Sequence, residues 1–347
     1  MERILVTGGA GFIGSNFIHY MLKTYESLQI LNLDKLTYAG NLNNLSTIQS
    51  DSRYRFLQGD IANKQLILDL LSHQSFDAIV NFAAESHVDR SISKPDEFLK
   101  TDIYGVFSLL EAARQKGVQR FVQISTDEVY GPVIEGAKNE ECALKPSSPY
   151  AASKGGADLL CRAYYTTYNS TVVVTRAANN YGPYQHPEKF IPLFITNALE
   201  NQPLPLYGDG RQKREWLHVL DHCRAIDLVL REGEPGEFYN IGGYDEAENI
   251  HIAKTIIELT GKDPNLLRFV EDRPGHDVRY AVNSQKIKEL GWQPEISIEE
   301  GLERTVAWYK KNKNWWKKLK GGEFKEYYEA QYGKRLEQAQ APKREAQ

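Results

Sequence analysis

Two rhythms of apolar and polar residues interleave through the first half of the chain. Short apolar runs rich in β-branched residues at 3–7, 29–33, 54–58, 77–82, 120–125 and 171–176 read as buried strands. Between several of them the apolar positions recur every three or four residues, as over 97–116 and 148–168, which is the spacing of helices with one buried face. Strands alternating with helices predict right-handed βαβ crossovers and a parallel, doubly wound α/β sheet. After Arg176 the rhythm weakens and prolines gather at Pro183, Pro187, Pro192, Pro203 and Pro205, which reads as a smaller lobe draped over the strand ends. Residues 1–176 are thus expected to form one domain, with a return segment near 215–241 of which 237–241 rejoins the sheet. Residues 177–320 form a C-terminal substrate-binding lobe interleaved with it. Residues 321–347 end in a polar run without apolar anchors and read as a frayed tail.

Length and composition agree with two lobes and narrow the class. A chain of 347 residues is long for a single compact core, and 41% hydrophobic with 25% charged residues is an ordinary globular balance. A formal net charge of -4 gives no global field toward nucleic acid or an anionic membrane, so neither is an expected partner. No apolar stretch approaches the ~20 residues that span a bilayer. Met1-Glu2-Arg3 runs straight into Ile4-Leu5-Val6, which leaves no room for a signal peptide. Cys142, Cys161 and Cys223 form no C-x-x-C pair, and an odd number suits a reducing compartment, so the expected location is the cytoplasm.

The first strand runs into Gly8-Gly9-Ala10-Gly11-Phe12-Ile13-Gly14 and then into a helix. Gly8, Gly11 and Gly14 permit a tight turn, close approach of backbone to a pyrophosphate, and close helix–strand packing; Phe12 and Ile13 open the helix whose N-terminus faces the phosphates. Spaced glycines alone are a weak signal. Here they follow a strand and open a helix, and Asp34 ends the next strand 20 residues after Gly14. A carboxylate there accepts hydrogen bonds from the adenosine ribose and repels a 2′-phosphate, so the expected cofactor is NAD rather than NADP, on a Rossmann-type domain. Asp60 and Ile61, closing the third strand, fall at the adenine edge. Ala83 and Ala84, closing the fourth, fall beside the nicotinamide half.

Tyr150 and Lys154 open the second helical pattern on one face. A tyrosine of ordinary pKa ~10 is a poor base, and an ammonium one turn away favours its phenolate. Ser125-Thr126 ends the fifth strand and brings a hydroxyl to the same sheet edge. These motifs together resemble the extended short-chain dehydrogenase/reductase family. Asp127 and Glu128 follow at once. Two carboxyls at one site resist joint ionisation, so one can stay an acid while the other serves as base, a pair that an elimination needs and a simple oxidoreductase or epimerase does not.

Over about residues 1 to 310 the chain is similar to bacterial dTDP-glucose 4,6-dehydratases. The stretches that carry the likeness are Leu33-Asp34-Lys35-Leu36-Thr37-Tyr38-Ala39-Gly40-Asn41, Ala83-Ala84-Glu85-Ser86-His87-Val88-Asp89-Arg90-Ser91-Ile92, Ser125-Thr126-Asp127-Glu128-Val129-Tyr130-Gly131, Asn179-Asn180-Tyr181-Gly182-Pro183-Tyr184 and Asp272-Arg273-Pro274-Gly275-His276-Asp277. His186 stands where an aromatic is expected, and the tail beyond Trp316 is longer than the family usually carries. The resemblance implies an NAD-dependent hydro-lyase. In it Tyr150 takes the 4-hydroxyl proton while hydride leaves C4, Glu128 removes the C5 proton, and Asp127 protonates the departing C6 hydroxyl. Thr126 holds the 4-oxygen and Lys154 the nicotinamide ribose. The resemblance also implies NAD contacts from Lys35, Leu36, Thr37, Ser86, Thr101 and Asn180. It implies sugar-nucleotide contacts from Ser86, His87, Asn179, Asn249 and His276, and a homodimer formed through helices 97–116 and 148–168.

For the diphosphate the candidates are Arg214, Arg273 and Lys189; for the pyrimidine, the apolar and aromatic run containing Pro205 and Tyr207. His218 and His222 have the spacing of a metal pair but no acidic partner motif, so packing is the expected role and no metal is assigned. Lysines 310–320 around Trp315 and Trp316 read as a solvated helix face with anchoring aromatics. A UDP-hexose 4-epimerase is disfavoured by Asp127-Glu128, a GDP-mannose 4,6-dehydratase by the downstream motifs, and a non-catalytic NAD sensor by the intact Thr126, Tyr150 and Lys154.

Overall fold

The computed structural model of the chain describes residues 1–244, 246–272 and 279–339. The apolar runs become strands within a residue of their expected limits: β1 (Arg3–Thr7), β2 (Gln29–Asp34), β3 (Tyr54–Gln58), β4 (Ala78–Asn81), β5 (Arg120–Thr126) and β6 (Val172–Ala177). Shorter strands follow: β7 (Asn179–Tyr181), β8 (Leu204–Tyr207), β9 (Lys213–His218), β10 (Phe238–Ile241), β11 (Glu246–Glu248) and β12 (Leu267–Val270). Seven of them pair in parallel in the order β10-β6-β5-β4-β1-β2-β3. Side chains alternate across this sheet, so its strands are apolar on both faces. Leu5 meets the helices Lys64–His73, Val106–Lys116 and Pro149–Tyr168 on one side. Ile4 and Val6 meet Phe12–Thr24 and Val219–Glu232 on the other. The strand order turns back at β1, and a crevice opens there at the carboxyl edge.

The smaller lobe holds a three-stranded sheet, β11-β9-β7, and a two-stranded one, β12-β8. Its core gathers Tyr181, Phe194, Trp216, Ile256, Tyr309 and Trp316. β9 belongs to this lobe, so the chain returns to the main sheet at Val219, later than the expected 215, and β10 then pairs with β6 through Phe238 and Val174. The expected helix over 97–116 starts earlier, at Pro95, and contains a π turn at Leu99–Gly105 before it continues as Val106–Lys116.

The tail needs correcting. Glu323–Tyr328 and Lys334–Glu337 are helical, joined by a π turn at Glu329–Gly333. Phe324, Tyr328 and Tyr332 recur every four residues, and this stripe packs onto the small lobe's core. The polar run at the very end had masked it. Trp315 and Trp316 do anchor the preceding helix: their indole N–H groups bond Asn44 Oδ1 at 2.9 Å and the Tyr309 carbonyl at 2.8 Å. Lys320, expected in solvent, instead bonds Asn197 and Glu200.

Candidate active site

The crevice at the carboxyl edge is a cleft of about 300 Å³. β1 delivers Gly8, whose φ of +70° is left-handed, and a Cβ there would lie 2.4 Å from Ala83 N. A Cβ on Gly14 would lie 2.5 Å from the Gly8 carbonyl. The backbone cradle therefore exists only with glycine at both places, and the N-terminus of helix Phe12–Thr24 opens into it, which fits a dinucleotide pyrophosphate. Asp34, 8% exposed at the end of β2, accepts from Ala10 N at 2.9 Å and Leu36 N at 2.8 Å. Burial pushes its carboxyl up, and the two backbone bonds act against that. Each oxygen keeps acceptor capacity for a ribose hydroxyl. Lys35 and Asp60 form an ion pair at 2.9 Å on the same rim. Every residue expected at the cofactor lines this cleft except Leu36. Leu36 has a φ of +59°, spends its N–H on Asp34, and packs its side chain against the sheet's core.

At the deep end the predicted catalytic set converges. Ser148 caps the helix Pro149–Tyr168 by accepting from Ala151 N at 3.1 Å, with Pro149 at the first position, where no N–H is missed. That cap fixes Tyr150 and Lys154 on the face toward β5. Lys154, 5% exposed, donates to the Ile124 carbonyl at 2.7 Å. Thr126 ends β5 and accepts from Glu128 N at 3.3 Å, holding Asp127–Tyr130 in a 3₁₀ turn. Asp127 is 3% exposed; burial first, then the charges of Glu128 and Glu215, push its carboxyl well above the carboxylate range. The site therefore favours its protonated form. Tyr150 differs from expectation. Burial of its phenol, then Glu128 and Asp102, push it well above the usual tyrosine range, and the opposing hydrogen bond from Thr126 does not offset them. Burial, with the carboxyls around the phenol, sets this direction despite the ammonium one turn away.

A second cleft of about 200 Å³ adjoins the first, and Glu128, Asn179 and Lys189 line both. His87, Pro205, Tyr207, Arg214 and Asn249, all expected at the substrate, line the second. Lys189 Nζ donates to the Ser86 carbonyl at 2.6 Å, and the Arg214 guanidinium sits 4.8 Å above the Tyr280 ring. Arg273 and His276 lie outside the described residues. His222 Nδ1 donates to Asn180 Oδ1 at 2.9 Å, and burial lowers its pKa to about 3, so a neutral ring braces that cofactor-side asparagine.

Sequence reasoning missed several lining residues. Glu188, 4% exposed, pairs with Arg90 at 3.3 Å and faces both clefts. Tyr327 and Tyr332 come from the tail judged frayed. Tyr327 donates to Asp89 at 3.2 Å, and Gln331 donates to the Tyr207 hydroxyl at 2.5 Å, so the tail spans from the short helix Val88–Ser93 to the small lobe. The four-residue aromatic spacing at 324, 328 and 332 was the available signal.

Fold and cleft are those of the doubly wound dinucleotide-binding class. The chain belongs to the family described as GDP-mannose 4,6 dehydratase, whose model matches residues 5–305. Within it, a dTDP-glucose 4,6-dehydratase of Streptomyces niveus is 50% identical over 92% of this chain and 96% of its own length. The dTDP-glucose 4,6-dehydratase of Escherichia coli is 46% identical over 93% of this chain and 97% of its own. The crystal structure of DesIV, a dTDP-glucose 4,6-dehydratase from Streptomyces venezuelae with NAD bound, is 51% identical, with a TM-score of 0.89 over 91% of this chain and 99% of that one.

Proposed function

We propose that the chain is an NAD-dependent dTDP-glucose 4,6-dehydratase, a hydro-lyase that converts dTDP-glucose into dTDP-4-keto-6-deoxyglucose and water. The observation that carries this reading is the carboxyl pair at the junction of the clefts: Asp127 buried, where burial favours its acid form, and Glu128 facing both spaces. Relatives at about half identity bear the same name over nearly their whole length.

When bound, NAD would take hydride from C4, leaving the ketone that persists in the product, and would return that hydride to C6 once water has left, so the cofactor's redox change cancels over the cycle. This chain's residues do the rest. Tyr150 accepts the proton of the 4-hydroxyl, with Thr126 bonded to the same oxygen and Lys154 holding the ribose beside it. The 4-ketone acidifies the C5 proton, because the carbanion is delocalised onto oxygen, and Glu128 removes it. Asp127 gives its proton to the C6 hydroxyl, which leaves as water, and C5 is reprotonated at the end. General acids and bases so placed contribute ~10²–10⁴-fold each. Arg214 and Lys189 offer positive charge to the diphosphate, while Tyr207, Pro205 and the tail's Tyr327 and Tyr332 wall the nucleoside side. The ketone product belongs to the class from which deoxysugars of polysaccharides are made.

The active form is a homodimer. Leu99, Tyr104, Leu159 and Tyr168 are 52%, 47%, 63% and 51% exposed on the helical segments 95–116 and 149–168, an apolar face suited to a second copy. The three cysteines are unpaired, in keeping with a cytoplasmic location. The test is incubation of the purified protein with dTDP-glucose, UDP-glucose and GDP-mannose, with mass and NMR identification of products. Loss of one water from the dTDP-sugar alone is expected; an epimerised hexose or an unchanged sugar would refute the reading.

A further inference from the structure

The π turn at Leu99–Gly105 interrupts an otherwise α-helical segment beside the site. Such turns carry one residue more than an α turn and move side chains off the regular helix faces. Here Thr101 reaches the cofactor cleft, and Asp102 is driven into the interior, 1% exposed. One Asp102 oxygen accepts the backbone N–H of Glu85 at 2.9 Å; the other accepts the Ser153 hydroxyl at 2.7 Å. Glu85 lies on the cleft-lining loop after β4. Ser153 lies between Tyr150 and Lys154, and its Oγ is also 2.8 Å from the Tyr150 carbonyl. One side chain thus fastens the cofactor-side loop to the catalytic helix.

The packing alone does not ask for a charge. An asparagine of the same shape could accept from Glu85 N and donate to Ser153 Oγ, whose proton would then turn to the Tyr150 carbonyl. A carboxylate in that place must be desolvated, which is costly. The charged groups facing it are Lys154, which favours its ionised form, Glu85, which opposes it, and the phenol of Tyr150.

We propose that Asp102 is a positioning residue for the reaction, which ties the loop carrying Ala84–Ser86 to the catalytic helix and whose negative charge opposes formation of the Tyr150 phenolate. Burial pushes the Asp102 carboxyl up to about 6, so the charge is switched on across the neutral range. Below that range Asp102 holds a proton, the tie remains, and the opposition disappears. The proposal rests on Tyr150 as the base for the 4-hydroxyl.

The experiment measures single-turnover formation of reduced nicotinamide by the full-length, NAD-loaded protein with dTDP-glucose, across pH, in wild type, D102N, D102A and Y150F. D102N is expected to match wild type on the acidic side and to exceed it severalfold above about pH 6, where wild type carries the charge. D102A loses the tie and falls roughly 10- to 100-fold, as misplacement of a reacting group does. Its KM for dTDP-glucose stays near wild type, and D102N rescues the rate. Superimposable profiles for D102N and wild type would overturn the proposal, as would a wild-type rate in D102A. If D102A fails to fold, the D102N profile decides alone. Y150F separates the two levels: should it oxidise the sugar at the wild-type rate, the underlying reading of Tyr150 fails, whatever D102N does.

Discussion

The cofactor half and the substrate half of the cleft are assembled by different means. On the cofactor side, β1, β2, β3 and β4 each end at the same sheet edge, and the loops that follow supply Gly8–Gly14, Asp34, Asp60 and Ala83. Each position follows from a local rule: a glycine where a Cβ would strike backbone, an acid at a strand end, a helix N-terminus toward phosphate. On the substrate side the wall is drawn from residues 86–89 at the start of the helix Val88–Ser93, β8, β9, the residue Tyr280 and the tail, with no common element and no shared spacing. Strand-end geometry fixes the first half; packing between distant segments fixes the second. Disturbing the first should abolish chemistry or cofactor binding, whereas disturbing the second should chiefly weaken substrate binding.

The largest effect tests the seam where the halves meet. Glu128→Gln leaves Tyr150, Lys154 and Thr126 in place but removes the base for C5. The variant should still form reduced nicotinamide with dTDP-glucose, while water loss and solvent-deuterium exchange at C5 fall by ~10²–10⁴-fold. Tyr150→Phe should block both the oxidation and the elimination. Stopped-flow absorbance of reduced nicotinamide, followed beside product mass, separates the two. Dehydration by Glu128→Gln at the wild-type rate would show that Glu128 is not the C5 base and remove the seam.

Next in size is Asp34. Its carboxylate is anchored by Ala10 N and Leu36 N, so the charge is held where a 2′-phosphate would lie. Asp34→Ala should weaken NAD by roughly tenfold or more, the range of a hydrogen bond to a charged group, and narrow its preference over NADP. Titration of the apo protein with both cofactors checks this. NADP recovered from the wild-type protein after denaturation would reverse the assignment.

The same contrast explains what was legible before the structure. The strands of the main sheet, the glycine cradle, Thr126 and Tyr150 could be read because each depends on neighbours within a few residues. The tail could not, because its final polar residues hid an aromatic stripe whose meaning depends on the core beneath it. Glu188 was equally hidden: a lone acid after a proline says nothing until Arg90 is found 3.3 Å away. The pKa of Tyr150 failed for a related reason, since spacing showed the lysine but neither the burial of the phenol nor the carboxylates that folding gathers around it. On the substrate side, Tyr327→Phe removes the bond to Asp89 and with it one strut between the tail and the helix Val88–Ser93. A net loss of ~1 kcal/mol corresponds to a rise of about fivefold in KM for dTDP-glucose, with NAD affinity unchanged. A fall in NAD affinity of the same size would show that the halves are not separable.

The smallest effect concerns the cost of building the seam. Asp127 is buried beside Glu128 and Glu215, and all three influences raise its pKa in the folded protein. A carboxyl whose folded pKa is raised binds its proton more tightly when folded than when unfolded. Below the ordinary carboxylate range both states are protonated and the site carries its full contribution to stability. As pH rises, the unfolded chain releases the proton first, and stability is lost progressively until the folded pKa is passed. Asp127→Asn keeps the shape and the bond to Thr126 but has no proton to lose. Its melting temperature should equal that of wild type in acid and exceed it by about 1–3 °C at neutral and alkaline pH, while turnover falls through slower departure of the C6 hydroxyl. Calorimetric melts of both proteins across pH measure the difference directly. A constant offset at every pH would assign the change to packing, and a loss of stability on the alkaline side would mean that Asp127 is ionised in the folded protein and cannot be the acid.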